Sequence, residues 1–165
     1  MIQQEKKYRV DSLDLALHFF SEKNIAPSQM STTNHFYGQQ SGNNVTKLVQ
    51  YSDKYEIHIL EEADGVFSLV EKISVDSVDD GLNWLRSQGF EFIDEIKMWS
   101  QTFEYKGGLV RLYLIDDWLH SIILSHPHDQ LKDIEKELKL KPEEVIEKPY
   151  NKFLTSLGMI KTRKL

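Results

Sequence analysis

The chain has 165 residues, contains no cysteine and carries a formal net charge of −6. This length predicts one domain over residues 1–165, with about two-thirds of the surface buried on folding. The negative charge excludes a protein-wide basic field for DNA, and the lack of cysteine excludes disulfides and thiolate sites. No apolar leader and no membrane-length apolar window is visible, so we expect a cytoplasmic protein with no membrane partner.

The first strand predicted from the sequence carries a polar face. Read as a strand, residues 2–10 place Gln3, Glu5, Lys7 and Arg9 on one face, because side chains alternate with period two. Acid and base alternating on a strand that opens a mostly β chain suggest a polar interior, such as a ligand tunnel. The alternative is a solvated edge strand of mixed charge.

Further elements follow from periodicity and turn residues. A helix is predicted from Asp11 to about Asn24, followed by a polar connection. The strands predicted next cover residues 33–37, 45–51, 55–60 and 66–75. A second helix starts at Ser77 and ends at Gly89. Two long β segments, 92–105 and 109–124, flank a glycine turn and precede helices at 129–138, 142–145 and 149–157. The basic tail, 161–164, is predicted to be frayed. The order indicates an α+β, mostly antiparallel fold.

This order and the residues at its corners resemble the CYTH family, the triphosphate tunnel metalloenzymes. The family's first-strand signature, Glu-x-Glu-x-Lys plus an aromatic residue, is similar to residues 3–8, which keep Glu5, Lys7 and Tyr8. Other matches lie at His35-Phe36, Gln88-Gly89-Phe90, Lys97, Gly107-Gly108, residues 111–116, Leu138-Lys139-Leu140, Pro142-Glu143-Glu144 and residues 149–154. The resemblance implies an antiparallel β-barrel-like tunnel with helices outside. It also implies a triphosphate or nucleotide ligand, and a homodimer by analogy with class IV adenylate cyclases.

The departures from the family pattern concern charge. Gln3 replaces the first signature glutamate, and Lys47 stands alone where the family has alternating arginines. His58 lies where the family reads Thr-x-Lys-Gly, and the late acidic pair is replaced near Ser125 and His126. The sequence therefore resembles the family frame with a partly dismantled site.

A triphosphate carries about four negative charges, so its site needs several convergent cations in a confined space. The phosphate-binding candidates that the resemblance implies are Lys7, Arg9, Lys47, Lys72, Lys97 and Arg111. Carboxylates would hold Mg²⁺ or Mn²⁺, which prefer oxygen ligands. The metal-binding candidates are Glu5, Glu71 and Asp116, and the catalytic candidates are Glu5, Lys7 and Asp116. Gln3 is a weaker ligand for a hard cation and imidazole prefers softer metals, which argues against efficient metal catalysis.

Several of these residues also have simpler interpretations. Glu5 and Lys7 could form a surface pair, Lys72 could face solvent, and Asp116 could belong to a turn. Arg111 lies on the opposite face from Val110 and Leu112, and its neighbours on its own face are Leu109 and Tyr113, which favours an inward side chain.

Three functions stay open from the sequence. The first is a metal-dependent triphosphatase or class IV cyclase-like enzyme. The second, which we favour, is a CYTH-like module that binds a triphosphate or nucleotide with its catalytic machinery partly lost. The third is an interaction scaffold whose tunnel is unused. Inward carboxylates would favour the enzyme, and convergent cations would favour binding.

Overall fold

A computed structural model of the protein describes residues 4–165, so Gln3 lies outside the described residues. The strands are β1 (Gln4–Arg9), β2 (Gln29–Gly38), β3 (Val45–Gln50), β4 (Tyr55–Ala63), β5 (Val66–Val75), β6 (Phe92–Tyr105), β7 (Gly108–Ile115), β8 (Leu119–His126), β9 (Val145–Ile146) and β10 (Lys161–Lys164). The helices are α1 (Asp14–Glu22), α2 (Val78–Ser87), α3 (Leu131–Glu137) and α4 (Tyr150–Ser156). None of these helices is long and apolar enough to cross a membrane.

Eight strands close into an antiparallel barrel. Their order around the wall is β6-β2-β3-β4-β5-β1-β8-β7, and β7 pairs back with β6 to complete the ring. The short strand β9 pairs with β1, and β10 pairs with the first residues of β6. The predicted antiparallel barrel with helices outside is confirmed.

The helices cover the barrel with apolar side chains. Phe20 of α1 is fully buried and stacks on Phe103 of β6, with 4.2 Å between ring centroids. Helix α2 crosses β3 closely at Gly81, where an added Cβ would come within 2.5 Å of the Leu48 side chain. Leu85, on the same helix, is also fully buried. These contacts bury the outward-facing apolar residues of the strands, which leaves the inward faces to form the interior.

The barrel interior has an apolar end and a polar end. At the apolar end, Phe67, Ile115 and Leu119 pack with Leu154 of α4 in one buried cluster. Since neighbouring strands are in register, the residues above this cluster on the inward faces share a second, polar space. That space is the cavity described below.

Several elements differ from the sequence predictions. Helix α1 begins at Asp14, three residues after the predicted start, and the Ser12 hydroxyl accepts from its backbone N–H. Strand β2 begins at Gln29, inside the predicted polar connection. The long 109–124 segment is two strands separated by a turn at Asp116 and Asp117. The predicted helix at residues 142–145 is a single 3₁₀ turn followed by β9.

The basic tail is ordered by pairing, so the prediction of a frayed terminus is wrong. Residues 161–164 form the strand β10 along β6. The Glu95 carboxylate of β6 forms ion pairs with Nζ of Lys161, at 3.5 Å, and with Nε of Arg163, at 2.8 Å. The Thr162 hydroxyl donates to the buried Asp94 carboxylate at 2.5 Å. The tail has no buried apolar residues, so its ion pairs and hydrogen bonds with β6 are what hold it in place.

Candidate functional site

A polar cavity of about 180 Å³ lies inside the barrel. Every strand of the closed ring contributes at least one side chain to it, and Tyr150 of α4 contributes one more. Four charged residues predicted from the sequence line this cavity. They are Glu5, Lys47, Lys72 and Arg111. Their shared location follows from alternation, which directs every second side chain of each strand inward.

Arg111 joins three strands at the charged side of the cavity. Its Nη1 atom donates to the Ser125 hydroxyl at 3.0 Å and lies 3.4 Å from Oε1 of Glu5. About a quarter of each charged side chain remains exposed to solvent, 27% for Arg111 and 25% for Glu5. One nitrogen makes both contacts, so the guanidinium keeps other N–H groups available for a ligand anion.

A row of basic side chains crosses three adjacent strands next to Arg111. Lys47 of β3 lies directly across from His58 of β4, and His58 lies across from Lys72 of β5. Burial lowers the pKa of Lys47 to about 8, the Glu5 carboxylate opposes this shift, and Arg111 adds to it. Burial, followed by the charge of Lys47, also lowers the pKa of His58. Burial therefore disfavours the protonated forms of both Lys47 and His58.

Lys7 is buried behind the cavity rather than free within it. Its side chain is 5% exposed, and its Nζ atom donates to the Lys148 carbonyl at 2.8 Å. The same nitrogen lies 3.9 Å from the ring centroid of Phe67 and 4.4 Å from that of Tyr150. Burial and the charge of Lys47 lower its pKa well below the ordinary value. Lys7 therefore lies behind Tyr150, which lines the cavity, and its surroundings disfavour the charged form.

Two of the predicted phosphate-binding cations lie on the outer surface. Arg9 is exposed, with its guanidinium about 6 Å from the rings of Trp118 and Phe153. Lys97 points away from the barrel interior, and its Nζ atom lies 3.6 Å from Asp117. The placement of these two residues in the tunnel is therefore corrected. Lys97 has odd parity on β6, whereas Met98, Ser100 and Thr102 of that strand face the cavity.

Two of the predicted carboxylates also lie outside the cavity. Asp116 is in the β7–β8 turn with a φ of 48°, and its side chain accepts from the backbone N–H of Lys97 at 2.9 Å. Glu71 is exposed because a β-bulge shifts the register of β5: Leu60 pairs with Leu69, while Ile59 pairs with Glu71. The extra residue changes which side chains of β5 face the cavity, so Lys72 contributes to the lining although it is exposed, and Glu71 does not.

The donors in the cavity do not fit a divalent metal site. Glu5 is the one member of the predicted acidic set that lines the cavity, and its carboxylate faces Arg111. Within residues 4–165, no group of three or more His, Asp or Glu side chains is placed to hold a metal ion. Mg²⁺ and Mn²⁺ need several oxygen ligands, and carboxylates are the strongest of them. This donor set supports anion binding better than metal binding.

Sequence reasoning placed Tyr113 on the same face as Arg111 but missed most of the other uncharged cavity residues. Tyr51 and Tyr113 line the cavity, and so does His35, whose Nε2 atom lies 2.8 Å from the Thr33 hydroxyl. Burial raises the pKa of both tyrosines and lowers that of His35, so all three stay neutral at pH 7. Alternation along β2 could have identified His35, because Thr33 and His35 are two residues apart and therefore lie on the same face of the strand.

The comparisons with known proteins agree in fold. No protein-family model matches the chain, and no curated protein matches it in sequence. A protein from Pyrococcus horikoshii is 14% identical with a TM-score of 0.78, over 90% of this chain and 96% of that one. A candidate adenylate cyclase from Vibrio parahaemolyticus is 17% identical with a TM-score of 0.68, over 94% and 98%. A candidate adenylyl cyclase from Hippeastrum, described as having a dominant triphosphatase activity, is 10% identical with a TM-score of 0.56, over 94% and 96%.

Identities this low establish architecture and not chemistry. The closed eight-stranded ring of this chain, with its helices outside, is the architecture of these cyclase-like structures. The resemblance inferred from the order of sequence motifs is thus confirmed at the level of fold. The chain has the CYTH tunnel fold.

Proposed function

We propose that this protein binds the phosphate chain of a triphosphate or nucleotide in the barrel cavity, without efficient metal-dependent turnover. The observation that carries the proposal is the convergence of Lys47, Lys72 and Arg111 on one cavity that contains one predicted carboxylate, Glu5. The local excess of positive charge contrasts with the net charge of −6 of the whole chain.

Phosphate is the anion that suits this arrangement best. Arginine and lysine form charge-assisted hydrogen bonds to phosphate oxygens, and such bonds strengthen where water is partly excluded. Burial lowers the pKa of Lys47, so the surroundings of this side chain disfavour its charged form. A bound polyanion would favour that form, so part of the binding free energy would come from stabilising the buried charge.

Weak turnover follows from the position of the acids. Asp116 and Glu71 lie outside the cavity, and Glu5 is already next to Arg111. In-line attack on a phosphate needs the reacting groups held within a narrow geometry, which metal ions bridging the phosphates ordinarily provide. The cavity offers lysine and arginine to the phosphates but few ligands to a metal ion. We therefore expect the bound ligand to dissociate faster than it is hydrolysed or cyclised.

Calorimetric titration with tripolyphosphate, ATP and cyclic AMP, with and without Mg²⁺ or Mn²⁺, tests the proposal. We expect the triphosphates to bind without metal, to bind more weakly at high salt, and to be recovered intact. Rapid metal-dependent release of phosphate or pyrophosphate would contradict the claim of weak turnover. Failure of every phosphate compound to bind would reject the proposed function.

The alternative is an active triphosphatase or cyclase, which the position of Glu5 in the cavity favours. In that case Mg²⁺ or Mn²⁺ should support turnover, and Glu5→Gln should abolish it. The Asp116→Asn variant serves as a matched control, since Asp116 lies at an outer turn. Equal loss in both variants would mean that the cavity is not the catalytic centre.

A further inference from the structure

One wall of the cavity is uncharged and rich in hydroxyl groups. Strands β2 and β6 pair side by side, and their register places Ser31 across from Ser100 and Gln29 across from Thr102. All four residues line the cavity. Within the described residues, β2 and β6 bring no carboxylate, lysine or arginine side chain to it. The charged residues come from strands on the remaining arc of the ring.

The hydrogen-bonding character of this wall differs from that of a phosphate clamp. The Ser31 and Ser100 hydroxyls lie 3.1 Å apart and use one proton between them, which leaves the second proton available. Thr102 accepts from the Ser28 hydroxyl through its backbone carbonyl, at 3.2 Å, so its own hydroxyl is not needed for that contact. Hydroxyls and the Gln29 amide both donate and accept, whereas an ionised phosphate only accepts.

A ligand group that both donates and accepts hydrogen bonds can pair with the donors and the acceptors of this wall. The hydroxyl of a sugar or polyol does so, while a phosphate oxygen would leave the lone pairs of the wall facing a negative charge. Sites built to bind a hydroxyl discriminate strongly against analogues that lack it, because their polar groups are then left without partners.

We propose that the β2–β6 wall binds the hydroxyl groups of the organic part of the ligand. The preferred ligand is then a phosphorylated, hydroxyl-bearing molecule, such as a sugar or nucleoside phosphate, rather than inorganic polyphosphate. This inference rests on the proposed function, because the phosphate must occupy the charged side of the same cavity.

The two sides of the cavity are close enough for one ligand. Thr102 lies directly across from Arg111 in the β6–β7 ladder, and such cross-strand neighbours are about 5 Å apart at Cβ. Gln29 and Ser31 also line a groove that continues onto the surface beside Tyr51. A phosphate at Arg111 would therefore place its substituent along the neutral wall, with the rest of the molecule leading outward.

Three probes separate the two parts of recognition. ATP and 2′,3′-dideoxy-ATP carry the same charge and base but differ in the ribose hydroxyls, and tripolyphosphate lacks the organic part. We expect ATP to bind about threefold to tenfold more tightly than the dideoxy compound, which is the net value of about one hydrogen bond. Ser31→Ala combined with Ser100→Ala, and separately Thr102→Val, should reduce this ratio toward one while the tripolyphosphate affinity stays unchanged.

Thr46→Val is the matched control, because Thr46 lies on β3 with the opposite parity to Lys47 and does not line the cavity. Thermal unfolding of each variant verifies that the barrel forms. Equal binding of all three probes, or an unchanged ATP ratio in the folded wall variants, would overturn the inference and leave the proposed function standing. If no probe binds at all, the proposed function fails and the inference fails with it.

Discussion

The two ends of the barrel interior are built from the same strands but differ in character: one is packed and apolar, and the other contains a polar cavity. At the apolar end, Leu119 and Leu154 are at most 1% exposed and pack against neighbours from several strands. At the polar end, Lys47 and Arg111 face each other's charge in a cavity. The difference shows that apolar packing stabilises one end of the barrel, while the other end keeps charged side chains in a partly enclosed cavity.

The largest expected effect is on stability at the apolar end. Leu119→Ala should lower the free energy of unfolding by about 2–5 kcal/mol, because it removes buried apolar contacts and leaves a cavity. Chemical denaturation monitored by circular dichroism measures this loss. Tripolyphosphate affinity should stay within about twofold of the wild-type value, since distant sites contribute nearly independently. A large loss of affinity in the folded variant would show that the two ends are coupled.

A second prediction concerns the one predicted carboxylate in the cavity. Glu5→Gln removes a negative charge near Arg111, so we expect metal-free tripolyphosphate to bind about threefold to tenfold more tightly. Calorimetry in the presence of a chelator measures this gain. Weaker binding by the variant, at every salt concentration and pH tested, would contradict this prediction and indicate that Glu5 contacts the ligand directly.

The pH dependence of binding should oppose that of stability. A bound polyanion favours protonated Lys47, so affinity should fall as the pH rises through about 8, by at most tenfold per pH unit. Folding is affected in the reverse sense. The unfolded chain binds the extra proton between pH 8 and the ordinary lysine pKa of 10.5, so this residue makes the fold more stable as the pH rises through that range.

Lys47→Arg provides the control for this pH dependence. The guanidinium stays protonated throughout the range, so both trends should flatten in the variant. Titrations and denaturation curves at pH 7, 8, 9 and 10 would show this. Unchanged slopes in Lys47→Arg would assign the pH dependence to another group.

The smallest expected effect is on the outer surface. Arg163→Ala breaks the contact with Glu95, where the arginine side chain is half exposed, and such pairs contribute less than about 1 kcal/mol. Thermal unfolding should therefore change slightly, and ligand affinity should not change. A loss comparable to that of Leu119→Ala would mean that β10 is essential to the barrel.

The sequence was most informative where apolar and polar residues alternate. The bounds predicted for β6 match those observed, and the alternation around Arg111 predicted the inward position that it occupies. The start of β2 was missed because Gln29 and Ser31 face a polar cavity, so this part of the strand lacks the apolar face that ordinarily identifies one. A polar barrel interior thus weakens the alternating pattern by which a strand is recognised in the sequence.

Other errors arose from events that sequence parity does not encode. The β-bulge in β5 removes Glu71 from the cavity while Lys72 lines it, and the bulge depends on the pairing of β5 with β4. Asp116 matched a family position, but the local turn determines where its side chain points. Motif order was therefore a better guide to the fold than to individual site residues.

The central claim is that the charged side of the cavity binds phosphate, and Arg111→Ala compared with Lys97→Ala tests it most directly. Both variants lose one positive charge, but Arg111 lines the cavity and Lys97 lies on the outside. Titration of tripolyphosphate at matched ionic strength should show a loss of about 1.5–3 kcal/mol for Arg111→Ala, roughly ten- to hundredfold in affinity. Lys97→Ala should bind like wild type. Equal affinities for the two variants, with both folded, would contradict the account.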